Sequence, residues 1–440
     1  MFDTNVPQPW QGRATLVFVL AVVAAGLGNT FRLPFLIGEF GGGPFIAVYF
    51  SALLVIVAPI LVAEVAIGSF GRSSPVGSLR WTGDQSGAPV QWSVLGWFQS
   101  GLGCLVAMWL WVMIPWLVDL GVAIESGRLA SASAQQVASH FIELVEAEID
   151  PVIPLWGVCA AATVLLASGP KVSITLIGWL VLPVLCVALF SLVDFALVMG
   201  DLRALNDYVF VRRSSALDFE GAMIAIGCAL TTAGAGLGVG LTVGGRTPSK
   251  LTLARSVLAA LVLDSALMMT MVIIVVSVMA AVNSVPVEGI SLVFVAIPHA
   301  FVNLPVGDLY GAILMLVMAL SLFAASVVLL EPAVVILTRE LNVHRFAAAA
   351  VIGFFAASGA YFLGLWGPDK LSEIDALMAQ FLIPVSMCFL AFFAAWQVSR
   401  PLLRGELYRE PGWLFEMWWL SLRFVAPAML LVWLWWSLLS

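Results

Sequence analysis

Apolar residues run through this chain in long stretches, and the polar positions gather in the short gaps between them. Stretches of membrane-spanning length, about 20 residues or more, lie near 13–36, 44–70, 93–123, 152–168, 172–199, 219–244, 256–283, 307–337, 346–366, 375–398 and 413–439. Eleven spanning helices are predicted, the fourth short and the sixth rich in glycine. Two of them are punctured. The first reads Ala24-Ala25-Gly26-Leu27-Gly28-Asn29-Thr30-Phe31-Arg32-Leu33-Pro34. Glycine costs about 1 kcal/mol in a helix interior and proline about 3, so a break is expected there. Backbone freed within lipid is tolerated only where protein buries it or it lines a cavity. The freed carbonyls and amides are therefore expected to face an ion or a solute. The sixth reads Thr231-Thr232-Ala233-Gly234-Ala235-Gly236-Leu237-Gly238-Val239-Gly240. Interrupted spans five helices apart are what an inverted repeat of five-helix units produces, with the solute site where they meet. The competing reading is a pair of small-residue helix-packing faces.

Composition places the chain before any motif does. It is 62% hydrophobic and 10% charged, against about 25% charged in soluble domains; this is a polytopic membrane protein. All five cysteines fall inside predicted spans, which argues against a disulfide framework and offers no metal-ligand spacing. Arg13 is followed by a full-length span without an Ala-x-Ala site, so no cleaved signal peptide is expected. The net charge of −7, part of it in Glu143–Asp150, gives no hint of nucleic acid. Loop arginines and lysines set orientation. With the N-terminus cytoplasmic, the inner side holds Arg13, Arg72, Arg80, Lys171, Arg246, Lys250, Arg255, Arg339, Arg345, Arg400, Arg404 and Arg409. The outer side holds Arg128, Arg203, Arg212, Arg213 and Lys370, while Arg32 and Arg423 are membrane-embedded. The N-terminus is expected inside and the C-terminus outside, in the plasma (inner) membrane. No Ser/His, paired-aspartate or His-x-x-x-His arrangement suggests an enzyme.

Beyond the broken spans, specific blocks are Gly41-Gly42-Gly43-Pro44-Phe45 and Glu64-Val65-Ala66-Ile67-Gly68. Weaker ones are Gly289–Pro298, Glu331-Pro332 and Arg423-Phe424-Val425-Ala426-Pro427-Ala428. With Gly26–Pro34, these make the chain resemble the neurotransmitter:sodium symporters of the LeuT fold, from Trp10 to the eleventh span. The resemblance implies an all-α 5+5 inverted repeat with discontinuous helices 1 and 6, plus an eleventh helix. The corresponding divisions are a cytoplasmic segment 1–12, repeats at 13–199 and 200–398, and the last helix at 399–440. It also implies sodium coupling, a small amine-bearing solute and no role as an enzyme.

By resemblance, the first sodium site maps onto the Ala24 carbonyl, the Asn29 side chain, Thr232 and Asp264, all of which offer oxygen. Asp264 lies in the apolar run Leu258–Val272, where a carboxylate is costly unless paired or ion-bound. The alternative is a protonated or hydrogen-bonded helix-packing aspartate. The second sodium site would use carbonyls of Val22, Ala25 and Ser321, but its two side-chain positions read Ala324 and Ala325. Methyl groups cannot coordinate a cation, so this site is expected to be degraded, with Ser321 or Ser326 as substitutes.

The implied solute pocket holds an amino group on carbonyls of Ala24, Thr231 and Thr232, and a carboxylate on amides near Leu27 and Gly28. Val106, Gly234, Leu237, Ala325 and Leu329 would line its apolar part. The family's third-helix tyrosine is replaced by Leu110 and its lid phenylalanine by Thr231. A hydrophobic amino acid is expected; an amine or modified amino acid is the alternative. At the gates, Arg32 and Asp375 hold the outer paired positions. Inside, Pro7 replaces an arginine, Arg339 an aspartate, Arg246 a tyrosine and Glu331 a glutamine. An Arg246–Glu331 bridge is expected, with Asp3 available to Arg339. Glu64 is expected to be structural. Two other functions remain open: proton-coupled or uncoupled transport or exchange, with Glu331 as proton carrier, and a non-transporting membrane sensor of the same fold.

Overall fold

The computed structural model describes residues 12–26, 32–146, 152–210, 217–248 and 251–439. Among them the chain is helical and contains no strand. Eight helices have the length and apolarity to cross a membrane: Gly43–Gly71, Val90–Glu125, Pro170–Met199, Leu253–Ala281, Gly307–Arg339, Arg345–Gly364, Gly367–Gln397 and Gly412–Ser437. These are the second, third, fifth, seventh, eighth, ninth, tenth and eleventh predicted spans. The fourth is the shorter helix Val152–Ala167. The sixth is divided, into Phe219–Thr232 and Val239–Gly244, and the described residues of the first form the helices Arg13–Gly26 and Leu33–Glu39.

Proline shapes several spans without ending them. It lacks an N–H and crowds the carbonyl four residues back, and a widened turn relieves both. Such turns at Leu53–Val57, Ile177–Val181, Met378–Leu382 and Ser421–Val425 stand just ahead of Pro59, Pro183, Pro384 and Pro427.

Helices 3 and 8 pack along much of their lengths, helix 1 lies between helices 7 and 8, and helix 9 covers helices 3 and 4. Helix 2 meets the second half of helix 6 backbone to backbone. A Cβ on Gly68 would sit 2.2 Å from the Leu241 carbonyl oxygen, and one on Gly244 at 2.2 Å from that of Val65. Without an oil–water difference to drive helices together in lipid, this close approach of small residues is what holds them.

Candidate functional site

The break in helix 6 is built from glycine. Gly234, Gly236 and Gly238 all have positive φ, at 65°, 78° and 74°, a region open to them because they lack a Cβ. The amides released there are gathered by helix 2. Glu64, fully buried, accepts from the Gly236 N–H at 3.0 Å and the Gly240 N–H at 3.1 Å, one through each carboxylate oxygen. The Ser386 hydroxyl of helix 10 donates to the Gly236 carbonyl at 2.6 Å. Backbone groups that would be orphaned in lipid are thus satisfied by side chains, and the break is a fixed structure.

Just before it, Thr232 ends the first half of helix 6. Its hydroxyl donates to the Cys228 carbonyl at 2.9 Å, and the Tyr49 hydroxyl of helix 2 lies 2.9 Å from the same oxygen. The two hydroxyls share a hydrogen bond that ties helix 2 to the end of the first half of helix 6. Tyr49 was not among the expected site residues; the available signal was a phenol in the middle of the apolar run Phe45–Leu54. Thr231, half-buried, turns its hydroxyl to the Cys228 carbonyl at 3.1 Å.

Asp264 is buried on helix 7, and its Oδ2 has no hydrogen-bond partner among the described residues. No cation lies within ion-pair distance of it there. An ionised carboxylate so placed costs several kcal/mol or more unless a counter-charge meets it. Asn29, Leu27 and Gly28 lie outside the described residues, as do Asp3 and Pro7.

The first half of helix 1 ends against helix 8. A Cβ on Gly26 would fall 2.7 Å from the Ser321 carbonyl oxygen and 2.2 Å from the Ala325 Cβ. Val22, Ala24, Ser321, Ala324 and Ala325 are all buried, and Ala25 is half-buried. The Ser326 hydroxyl donates to the Phe323 carbonyl and accepts from the Trp111 indole N–H, both at 2.7 Å.

Helix 3 brings the apolar residues together. A Cβ on its Gly103 would meet the carbonyl oxygens of Leu329 at 3.0 Å and Leu237 at 3.2 Å. Val106, Leu110, Gly234, Leu237 and Leu329 are buried. Trp109 and Trp111, either side of Leu110, donate to the Leu371 carbonyl and to Ser326.

The two charged clusters differ. Arg32 and Asp375 form an ion pair between helices 1 and 10, each partly accessible. At the other end, the expected Arg246–Glu331 bridge is not formed. Arg345, at the start of helix 9, takes Glu331 instead, at 3.0 Å and 2.7 Å to the two carboxylate oxygens, and its Nε donates to the Leu166 carbonyl at 2.9 Å. Glu331 is fully buried, and the nearer guanidinium carries the pairing. Arg246 and Arg339 stand in the same electrostatic neighbourhood.

Residues 8–126 match the Sodium:neurotransmitter symporter family. Over 442 aligned residues the chain is 21% identical to the sodium-dependent transporter YhdH of Bacillus subtilis, covering 97% of this chain and 96% of that one. It is 24% identical to the sodium-dependent transporter MJ1319 of Methanocaldococcus jannaschii, over 95% and 88% of the two chains. The crystal structure of MhsT in complex with L-phenylalanine superposes with a TM-score of 0.85 at 25% identity, over 98% of this chain and 99% of that one. The chain is similar to the sodium:neurotransmitter symporter family in its first quarter, and to sodium-dependent transporters and a LeuT-type structure over nearly its whole length. It has the LeuT-type architecture, with helices 1 and 6 discontinuous. Like these relatives it is a multi-pass membrane transporter and not an enzyme, with sodium as the coupling ion.

Proposed function

We propose that this chain is a sodium-coupled importer of a small amine-bearing solute, a hydrophobic amino acid first, working by alternating access. The observation that carries the reading is Asp264, a buried carboxylate with an oxygen left without a donor or counter-charge among the described residues. The full-length likeness to a transporter solved with L-phenylalanine supports the solute class. Sodium is assigned to the Ala24 carbonyl, the Asn29 side chain, Thr232 and Asp264. The solute is assigned to Ala24, Leu27, Gly28, Thr231 and Thr232 for its polar end, and to Val106, Leu110, Gly234, Leu237, Ala325 and Leu329 for its apolar end. A second sodium at Val22, Ala25 and Ser321 lacks side-chain oxygens, and one tightly bound ion is the proposed stoichiometry.

Arg32 and Asp375 form the proposed outer gate, with Glu331–Arg345, flanked by Arg246 and Arg339, at the inner end. The N-terminus is cytoplasmic and the C-terminus outside, and residues 13–199 and 200–398 are the two repeats. Glu331 held by two hydrogen bonds from a guanidinium is poorly suited to carry a proton, which weakens the proton-coupled alternative.

The test is thermal stabilisation of the purified chain by L-phenylalanine in sodium and in potassium. A ligand at 100 times its Kd stabilises by about 2.7 kcal/mol. Stabilisation in sodium alone is expected, and equal stabilisation in both salts overturns sodium-coupled binding. Asp264→Ala should weaken the sodium-dependent part by about a hundredfold, the equivalent of the ~3 kcal/mol lost when one partner of a buried charge pair is removed.

A further inference from the structure

Helix 11 carries an arginine that the transport site does not use. Arg423 lies eleven residues into the helix Gly412–Ser437, roughly 16 Å along its axis. Side chains lean toward a helix's N-terminus, and long basic ones bury their stems while their heads reach for the interface. The guanidinium accordingly lies 5.8 Å from the Trp396 ring centroid, 5.9 Å from Trp419 and 5.8 Å from Phe424. Trp396 is the residue before the last of helix 10, which sets the depth. The guanidinium lies level with the last turn of helix 10, on the side where helices 10 and 11 are joined.

Among the described residues its partners are aromatic faces. No carboxylate lies within ion-pair distance of Arg423 among the described residues, and its Nε is buried without a hydrogen-bond acceptor. The nearest arginines do not relieve it. Arg400 stacks on the same Trp419 ring, at 5.9 Å, and takes Glu416 as its partner. Arg404 donates to the carbonyls of Leu407 and Glu410. The patch therefore keeps an excess of positive charge. It also opens outward, since Trp396 is 41% exposed and Phe424 57%, on the outer face of two spanning helices.

We propose that Arg423 binds the phosphate of an anionic phospholipid in the leaflet on that side, with its acyl chains along the apolar face of helices 10 and 11. Basic pockets between spanning helices take anionic headgroups, and aromatic rings hold the headgroup level. A guanidinium presents a fork of donors that matches a phosphate. A phosphatidylcholine brings its own ammonium and gains less from the site.

Native mass spectrometry of the full chain in detergent tests this, with phosphatidylglycerol and phosphatidylcholine of identical acyl chains, and with inorganic phosphate. Phosphatidylglycerol adducts are expected at about fivefold lower lipid concentration than phosphatidylcholine adducts, and Arg423→Gln should erase that preference. Equal binding of the two lipids by the unaltered chain overturns the proposal. So does an unchanged preference in the variant, or displacement of the lipid by inorganic phosphate. Should Arg423→Gln fail to fold, photoactivatable phosphatidylglycerol is crosslinked to the unaltered chain and mapped. Labelling of the peptides around Trp396 and Arg423 supports the site, and labelling confined to other helices overturns it. The readout is lipid binding, so its failure leaves the transport reading untouched.

Discussion

Helices 6 and 8 both border the proposed solute region, and they treat their polar groups in opposite ways. In helix 6 the chain is broken, and every released amide described above finds an oxygen: Glu64 for Gly236 and Gly240, with Tyr49 and Cys228 fixing the Thr232 hydroxyl. In helix 8 the stretch Ser321–Ala325 stays helical and presents methyl groups at Ala324 and Ala325, with Gly26 pressed against it. A membrane helix carries polar side chains only where something meets them. On the proposed assignment, the contrast puts the cation-directed chemistry on the helix 2–helix 6–helix 7 side, while the helix 1–helix 8 contact is mainly packing.

Glu64 is the place to break the comparison most severely. Glu64→Ala leaves the Gly236 and Gly240 N–H groups buried without acceptors, at about 1–3 kcal/mol each. A loss of roughly 2–6 kcal/mol in stability is expected, read as a fall in the midpoint of thermal unfolding in detergent. Glu64→Gln keeps one carbonyl oxygen and should lose about half as much. An alanine variant as stable as the parent would mean that the helix 6 break is held by packing, as the helix 8 contact is.

Much of this was legible in the chain itself. The two interruptions and the number of spans follow from glycine and proline placed within long apolar runs. Asp264 stood out as a carboxylate in such a run. What was not legible is which groups meet across spans. Arg345 reads as an ordinary loop cation, because nothing in its neighbours reveals that the short connection after helix 8 folds it back fourteen residues onto Glu331. Arg246, set opposite Glu331 by the family resemblance, does not pair with it because Arg345 reaches both carboxylate oxygens and the Leu166 carbonyl at once. That the Trp111 indole of helix 3 donates to Ser326 is likewise invisible in the sequence.

Tyr49→Phe sharpens the contrast more gently. It removes one hydroxyl and leaves the ring packed, so the fold should survive. Thr232 loses its hydrogen bond with the phenol, worth about 1 kcal/mol. About fivefold more sodium should then be needed for half-maximal stabilisation by L-phenylalanine, with the sodium-free midpoint of unfolding moved by little. An unchanged sodium requirement would make Tyr49 a packing residue and remove helix 2 from the ion's surroundings.

Ala325→Ser works from the other side by giving helix 8 one of the oxygens it lacks. Two opposed effects set the size of the result. The added hydroxyl can meet a cation between helices 1 and 8, yet Ala325 already presses on Gly26, whose added Cβ would be 2.2 Å away. A serine can also satisfy itself on the carbonyl three or four residues back in its own helix. The net gain is therefore small, about a twofold fall in the sodium concentration for half-maximal stabilisation, with a steeper sodium dependence as a second ion begins to count. If sodium dependence is unchanged in slope and midpoint, the missing side-chain oxygen is not what distinguishes the two helices. The backbone carbonyls of Val22, Ala25 and Ser321 would then be too far from a cation's reach for a hydroxyl to rescue, and the contrast between helices 6 and 8 would be one of geometry before chemistry.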